Sequence, residues 1–200
     1  MKYSIVGSGL VGKTLAGIFA RANTDVLIAN SRGPESLAEI AAELGPHIIP
    51  AAVDQALDAD IIFFAVGFLH FKEVAAKRPD WTGKIVIDVT NAFMLPVEIQ
   101  ESELHGRLSS EVNAERLLGA KLVKAFNQVP MRVLIGPLPD STGRRVVFVA
   151  SDHEDASAEV GQLVELLGFA PIQVGKIAEG GRLIQAREAL VLQNLIKYPM

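Results

Sequence analysis

Residues 2–12 read KYSIVGSGLVG, and this stretch decides the fold class of the chain. Its apolar β-type residues lead directly into the pattern Gly7-x-Gly9-x-x-Gly12, and a helical pattern of apolar residues follows at once. A strand, a tight turn and a helix in this order are the context that a dinucleotide-binding glycine motif requires. We therefore predict a phosphate-binding turn here. The alternative is a glycine-rich turn that binds nothing.

Each glycine of this motif has its own predicted task. Gly7 makes the sharp turn, Gly9 lets a pyrophosphate approach the backbone, and Gly12 lets the helix pack closely on the strand. The anion would lie on the free N–H groups at the positive end of the helix that starts near Leu10. The motif thus predicts both the turn and the position of a bound diphosphate.

Composition and charge limit the class of protein. The chain has 200 residues, of which 50% are hydrophobic and 21% charged, as in globular rather than disordered proteins. A formal net charge of −4 argues against nucleic acid as the main partner. The chain has no cysteine, which excludes disulfides and thiolate metal sites, and its four histidines lack metal-ligand spacing. We therefore predict no metal site.

The amino end and the apolar runs indicate a cytoplasmic protein. The opening MKYSIVGSG is typical of a strand and a loop, not of a signal peptide. The longest apolar run, residues 61–69, is too short to span a bilayer. We therefore expect a cytoplasmic location and no membrane partner.

Strand and helix patterns alternate along the whole chain. Strands are predicted over about residues 3–6, 25–29, 47–50, 60–66, 84–89, 121–126, 144–150 and 169–174. Strands separated by helices indicate right-handed βαβ units and a parallel sheet. We predict an α/β fold of the Rossmann type. It is doubly wound, with a mostly parallel sheet, helices on both faces and a small C-terminal extension.

Three local predictions concern later segments. Residues 91–109 have weak periodicity and are expected to form a long irregular connection. Ser151 and Asp152 are expected to cap a helix that reaches about Leu167. A last helix is expected over residues 181–197.

The tip of the second strand carries Asn30, Ser31 and Arg32, and we predict all three as cofactor contacts. An NAD-selective site has Asp or Glu there, which binds the ribose 2′-hydroxyl. This chain has no carboxylate at that tip, while Ser31 can donate a hydrogen bond and Arg32 can pair with a 2′-phosphate. The sequence therefore favours NADP over NAD. The alternative is a solvated arginine in a loop.

Further contacts are expected at the carboxyl ends of the other strands, where open α/β sheets bind ligands. Gly67 could mark a close approach of the backbone or a plain turn. Asn91 and Asn127 could bind the nicotinamide carboxamide or a substrate carbonyl, or could cap turns. The predicted cofactor contacts at these strand ends are Ala65, Val66, Gly67, Asn91 and Ala125.

No side chain stands out as a general acid or base, and we predict no catalytic residue. Both tyrosines lie near the termini. His70 and His105 could face the cleft, but their positions are more typical of a helix start or the surface. Hydride transfer to a flavin-like acceptor requires proximity and orientation rather than a proton relay. Residues 92–96 and 127–131 could form an apolar floor for a planar ring, or ordinary core.

Four stretches, in this order, resemble one family: GSGLVGKTLAG, ANSRGPESL, IIFFAVGF and LVKAFNQV. They are similar to the NADP oxidoreductases that depend on coenzyme F420, a deazaflavin, and to related bacterial dinucleotide-binding proteins. The NADPH domain of the ferric reductases is a more distant relative. The resemblance implies a smaller C-terminal part that builds the acceptor pocket, and a homodimer. It also implies a 2′-phosphate site at Ser31 and Arg32, and a pyrophosphate site at Gly7, Ser8, Gly9, Leu10, Val11 and Gly12.

The expected function is hydride transfer between NADPH and a flavin- or deazaflavin-like acceptor. Residues 1–200 would form one NAD(P)-binding domain, with about residues 130–200 on the acceptor side of the cleft. No deazaflavin-binding motif matches residues 127–200, so a quinone or a small carbonyl compound stays open as the acceptor. The alternatives are a nucleotide-binding sensor or regulatory module without turnover, and a small imine or keto-acid reductase.

Overall fold

The computed structural model describes residues 1–93, 95–139 and 142–199. Its strands are β1 (Tyr3–Val6), β2 (Val26–Ala29), β3 (Ile48–Pro50), β4 (Ile61–Phe64), β5 (Ile85–Asp88), β6 (Lys121–Ala125), β7 (Arg144–Ser151), β8 (Ala170–Gly175) and β9 (Ile196–Lys197). Its α-helices are α1 (Leu10–Arg21), α2 (Ala38–Leu44), α3 (Val53–Leu57), α4 (Phe68–Ala75), α5 (Val97–Leu104), α6 (Ser109–Glu115), α7 (Met131–Leu134) and α8 (Glu154–Leu166). A 3-10 helix (Pro34–Leu37) precedes α2, and a π-helical turn covers Ile177–Gly181. None of these described helices has the length and apolar character needed to cross a membrane.

The nine described strands form one sheet in the order β3-β2-β1-β4-β5-β6-β7-β8, and β9 pairs with β7. The first six strands in this order are parallel, whereas β7 is antiparallel to β6 and parallel to β8. The chain order reverses between β1 and β4, as in doubly wound folds. The predicted Rossmann-type α/β fold with a mostly parallel sheet is therefore confirmed.

Helices cover both faces of the sheet, which explains why β4 is apolar throughout. All four residues of β4 are buried, and their side chains alternate between two cores. On one face Phe63 packs edge-on against Phe19 of α1, with ring centroids 5.6 Å apart. On the other face Phe64 packs against Trp81 at 5.7 Å. These two cores hold α1 and α4 against the strand ends that form the site described below.

The C-terminal segment differs from its prediction, because residues 181–197 do not form a helix. The chain leaves the π-helical turn and runs irregularly to β9, which pairs with the start of β7. Two of its backbone hydrogen bonds are long-range: Leu192 N donates to Gln128 O at 2.7 Å, and Val146 N donates to Leu195 O at 2.9 Å. These tertiary hydrogen bonds take the place of the local helical ones.

Arg145 on β7 attaches this segment to α7. Its guanidinium donates to Asn194 Oδ1 at 2.8 Å and to the carbonyls of Leu134 and Gly136 at 2.8 and 3.0 Å. Burial lowers the pKa of Arg145, because the charged form loses hydration. The carbonyl groups at the end of α7 thus replace water around a buried cation.

Two further local predictions are wrong. Residues 91–109 are not wholly irregular, because they contain α5. This helix buries none of its residues, so its sequence lacks the apolar stripe that reveals a helix. Ser151 and Asp152 do not cap α8, whose N-cap residue is His153. Instead Ser151 Oγ donates to the Leu122 carbonyl, and Asp152 accepts a hydrogen bond from Ile177 N.

Candidate functional site

A cleft of about 660 Å³ opens at the carboxyl ends of β1, β2 and β4. The strand order reverses between β1 and β4, and open α/β sheets bind ligands at such a point. The turn after β1, the loop after β2 and the start of α4 form its walls. The predicted cofactor contacts that line it are Gly7, Ser8, Gly9, Asn30, Ser31, Arg32, Ala65, Val66 and Gly67.

Two glycines of the turn are required by the fold itself. Gly7 has a φ of +111°, and a Cβ on it would lie 2.2 Å from the carbonyl oxygen of Ala65. A Cβ on Gly12 would lie 1.8 Å from the carbonyl oxygen of Gly7. The strand end, the turn and α1 therefore pack backbone against backbone, and neither position has room for a side chain.

Gly9 is different, because the fold leaves its Cβ position open. A Cβ there would meet no atom within 4 Å, although Gly9 lines the cleft as the N-cap of α1. The first helical hydrogen bond runs from Lys13 N to Gly9 O at 2.9 Å, so the N–H groups of residues 10–12 precede the helical ladder. The first turn of α1 carries no acidic residue. The turn thus offers open space and free donors to an anion, and it fits the diphosphate of a dinucleotide.

Asn30 joins the glycine turn to the loop after β2. Its Nδ2 donates to Ser8 Oγ at 2.9 Å and to Ser36 Oγ at 3.0 Å. Its Oδ1 accepts from Arg32 N at 2.8 Å. Sequence reasoning took Asn30 for a cofactor contact, and the structure shows its amide engaged in ordering the loop that presents Ser31 and Arg32.

The far end of the cleft is rich in cationic side chains. Ser31 and Arg32 are exposed, and Lys77, just beyond α4, also lines the cleft. Glu73 is the acidic residue of the described lining, and its carboxylate oxygen lies 3.3 Å from His70 Nδ1. The sequence does not reveal Lys77, because only the fold brings the end of α4 to the same cleft as the β2 loop.

Other predicted contacts do not line this cleft. Leu10 is 77% exposed, and Val11 and Gly12 lie in the first turn of α1 just behind the lining residues. Ala125 is completely buried in the core on the α1 face of the sheet, because side chains alternate between the faces along β6. The structure therefore does not bring Ala125 to a surface where a ligand could meet it.

Asn91 and Asn127 meet at the neighbouring ends of β5 and β6. Asn91 Nδ2 donates to the Asn127 carbonyl at 3.3 Å, and Asn127 Nδ2 donates to Asn91 Oδ1 at 3.4 Å and to the Ile184 carbonyl at 2.7 Å. Asn127 is 7% exposed, and its Oδ1 has no hydrogen-bond partner among the described residues. We refer to Asn91 and Asn127 as the amide pair.

Comparison with known proteins shows which family the chain resembles. Residues 2–92 match the family model described as NADP oxidoreductase, coenzyme F420-dependent. The structure of a hypothetical protein, SMa0349 from Sinorhizobium meliloti, is 38% identical with a TM-score of 0.91, and the match covers 98% of this chain and 96% of that one. Residues 2–92 carry the sequence pattern of the F420-dependent NADP oxidoreductase family. The predicted resemblance is thereby confirmed, and the fit of the glycine turn to a dinucleotide agrees with this resemblance to NADP oxidoreductases.

Two further proteins show how widely the family features extend. A candidate F420-dependent NADP-reductase from Arthrobacter sp. FB24 is 26% identical with a TM-score of 0.70, and the match covers 88% of this chain and 86% of that one. Metalloreductase STEAP3 from Rattus norvegicus is 28% identical over 178 residues, or 88% of this chain. The chain spans about a third of the length of the curated metalloreductases that it matches.

Proposed function

We propose that this protein binds NADPH along the cleft and passes a hydride to a flavin- or deazaflavin-like ring. The observation that carries the proposal is the open Cβ position of Gly9 at the start of α1, in a cleft that also contains Arg32. A turn that merely links a strand to a helix has no need of open space at that glycine. A diphosphate-binding turn requires it.

The two ends of the bound nucleotide would be held in different ways. The N–H groups of residues 10–12 would hold the diphosphate, and the helix dipole favours a negative charge there. The Ser31 hydroxyl and the Arg32 guanidinium would hold the 2′-phosphate through charge-assisted hydrogen bonds. Val53 and Val74, which also line the cleft, offer apolar surface to the adenine ring.

The nicotinamide end would lie toward the amide pair, beyond Ala65 and Val66. When bound, NADPH supplies the hydride, and the acceptor ring takes it together with a proton from solvent. The described lining of the cleft holds no buried acid or base, because His70 and Glu73 pair with each other at the surface. The task of the protein would then be orientation of two rings rather than proton transfer.

The acceptor would occupy the side of the cleft built by later parts of the chain. A second hollow of about 210 Å³ lies where residues 92–104 face residues 185–188. Ala92, Phe93 and Leu104 offer apolar surface there, and Arg187 offers a positive charge. Met94, part of the predicted apolar floor, lies outside the described residues. This hollow supports the prediction that the C-terminal part contributes to the acceptor side.

Oxidation of NADPH by the purified protein tests the proposal. The acceptor panel would contain FMN, FAD, F420, a ferric chelate and a cyclic imine, and the loss of NADPH absorbance would be followed. We expect turnover with a flavin or with F420, and much slower turnover with NADH. Binding of NADPH without oxidation by any acceptor would instead support a nucleotide-binding sensor. Turnover with the imine alone would support an imine reductase.

Replacing Asn30 by alanine should loosen the loop that carries Arg32. The substitution removes the hydrogen bonds to Ser8, Ser36 and Arg32 N, so we expect NADPH affinity to fall about fivefold to tenfold at a cost of roughly 1 kcal/mol. Titration calorimetry measures this fall. Ser36→Ala removes only one of these partners, so its NADPH affinity should lie between that of Asn30→Ala and that of the wild type. Wild-type affinity in Asn30→Ala would contradict the ordering role.

A further inference from the structure

A buried ion pair lies between two central strands. Lys124 on β6 and Asp88 on β5 are register partners, and their side chains are 1% and 0% exposed. Lys124 Nζ lies 3.2 Å from Asp88 Oδ2 and also donates to the carbonyl oxygen of Thr90. Burying two charges costs free energy unless hydrogen bonds satisfy them fully. A pair at this depth in an apolar sheet therefore needs a physical explanation.

The remaining hydrogen bonds around this ion pair involve Thr90 and Asn113. Thr90 N donates to Asp88 Oδ1 at 2.8 Å. Asn113 on α6 donates from Nδ2 to Asp88 Oδ2 at 3.2 Å and to Thr90 Oγ1 at 3.3 Å. The backbone N–H, the carbonyl and the hydroxyl of Thr90 are thus all held. We call Asp88, Thr90, Asn113 and Lys124 the Lys124 cluster.

The Lys124 cluster is connected to the amide pair through the chain after β5 and through the chain after β6. Thr90 directly precedes Asn91, and only two residues separate Lys124 from Asn127. One of these two, Phe126, has a φ of +59°, a conformation that costs a bulky residue free energy. Its ring is buried and packs 5.6 Å from Phe63 and 6.0 Å from Phe169, which retains the strained turn. This turn brings Asn127 beside Asn91.

The amide pair has one unused acceptor. Asn127 Oδ1 is buried and has no donor among the described residues, and buried polar atoms without partners are uncommon in folded proteins. A ligand with an N–H donor would satisfy it. The carboxamide of a nicotinamide ring carries such a donor.

We propose that the Lys124 cluster is a positioning device that holds Thr90 and Asn91, so that the amide pair can bind the nicotinamide carboxamide. This inference rests on the proposed function. The residues of the Lys124 cluster act through the backbone of Thr90 and do not touch the cofactor. Stability alone gives little reason for the ion pair, because well-packed apolar residues are often at least as stabilising in such positions.

The test separates the two ends of the nucleotide in the double variant Asp88→Asn/Lys124→Met. Calorimetry measures the binding of adenosine 2′,5′-bisphosphate, which lacks the nicotinamide, and of NADPH. We expect bisphosphate affinity to stay within about twofold and NADPH affinity to fall about tenfold, the scale of one lost hydrogen bond. We also expect a smaller change in nicotinamide fluorescence on binding. Lys121→Met is the matched control, because Lys121 lies on the same strand but pairs with the exposed Asp155.

A second variant keeps the test decisive should the double variant not fold. Asn113→Ala leaves the ion pair in place and removes the amide that holds Thr90, so it should show the same selective loss at about threefold. Equal affinities of variant and wild type for both ligands, or equal losses for both, would overturn the positioning role. Failure of the wild type to bind either ligand would instead overturn the proposed function, and the inference with it.

Discussion

Replacing Gly9 by alanine is expected to leave the fold intact and to weaken NADPH binding about tenfold to a hundredfold. The added Cβ meets no protein atom within 4 Å, so the folded chain accepts it. The same methyl group would occupy the space that a diphosphate needs, and a steric cost of roughly 1–3 kcal/mol corresponds to this loss of affinity. Thermal unfolding and titration calorimetry on one preparation measure both quantities.

Two neighbouring glycines provide matched controls. Gly12→Ala places a Cβ 1.8 Å from the Gly7 carbonyl oxygen, so it should lower the free energy of unfolding by about 3 kcal/mol. Gly17→Ala, in the middle of α1, brings a Cβ no closer than 3.7 Å to Leu44. It should raise stability by up to about 1 kcal/mol and leave binding unchanged. Wild-type NADPH affinity in Gly9→Ala would rule out a diphosphate at this turn.

Arg32→Ala is expected to weaken NADPH binding by roughly 1.5–3 kcal/mol, because one charge-assisted hydrogen bond to the 2′-phosphate is lost. NADH has no 2′-phosphate, so its affinity should change little. Any general effect of the substitution on the fold would change both affinities alike, so it cancels in the ratio of NADPH affinity to NADH affinity. Calorimetry with both nucleotides gives the two affinities directly.

Arg21→Ala is the matched control for this substitution. Arg21 is exposed like Arg32 but lies at the far end of α1, a helix of 12 residues, so only the general charge of the protein changes. We expect both nucleotides to bind Arg21→Ala as they bind the wild type. Equal losses of NADPH and NADH affinity in Arg32→Ala would contradict a 2′-phosphate site at this position.

Local sequence patterns were sufficient for much of the fold. The apolar runs of β1, β4 and β5 and the glycine turn appear where the sequence predicts them, because buried parallel strands need continuous apolar residues. The pattern was insufficient for α5, which buries no residue. It was also misleading for residues 181–197, where hydrogen bonds from Leu192 N to the Gln128 carbonyl and from Val146 N to the Leu195 carbonyl hold the backbone against distant parts of the chain. Propensity is a weak guide wherever such contacts compete with it.

The cleft, too, contains some residues that a short stretch of sequence predicts and others that only tertiary packing brings there. That Gly7, Gly9 and Arg32 line the cleft could be predicted from the sequence, since their positions depend on a short segment around each of them. Lys77 could not be found in this way, since it reaches the cleft only when α4 packs on the sheet. Lys124 could not be found either, because its carboxylate partner lies 36 residues away along the chain.

By itself, the sequence determined the strand–turn–helix unit at the amino end, the class of the fold and the position of an arginine at the tip of β2, where no carboxylate stands. These features depend on hydrogen bonds and steric limits within a few neighbouring residues. The tertiary structure decided which strand ends meet. It thereby placed Asn91 beside Asn127 and assembled the buried Lys124 cluster. It also placed the C-terminal segment against β7. Such contacts follow from packing between distant parts of the chain, which no local pattern encodes.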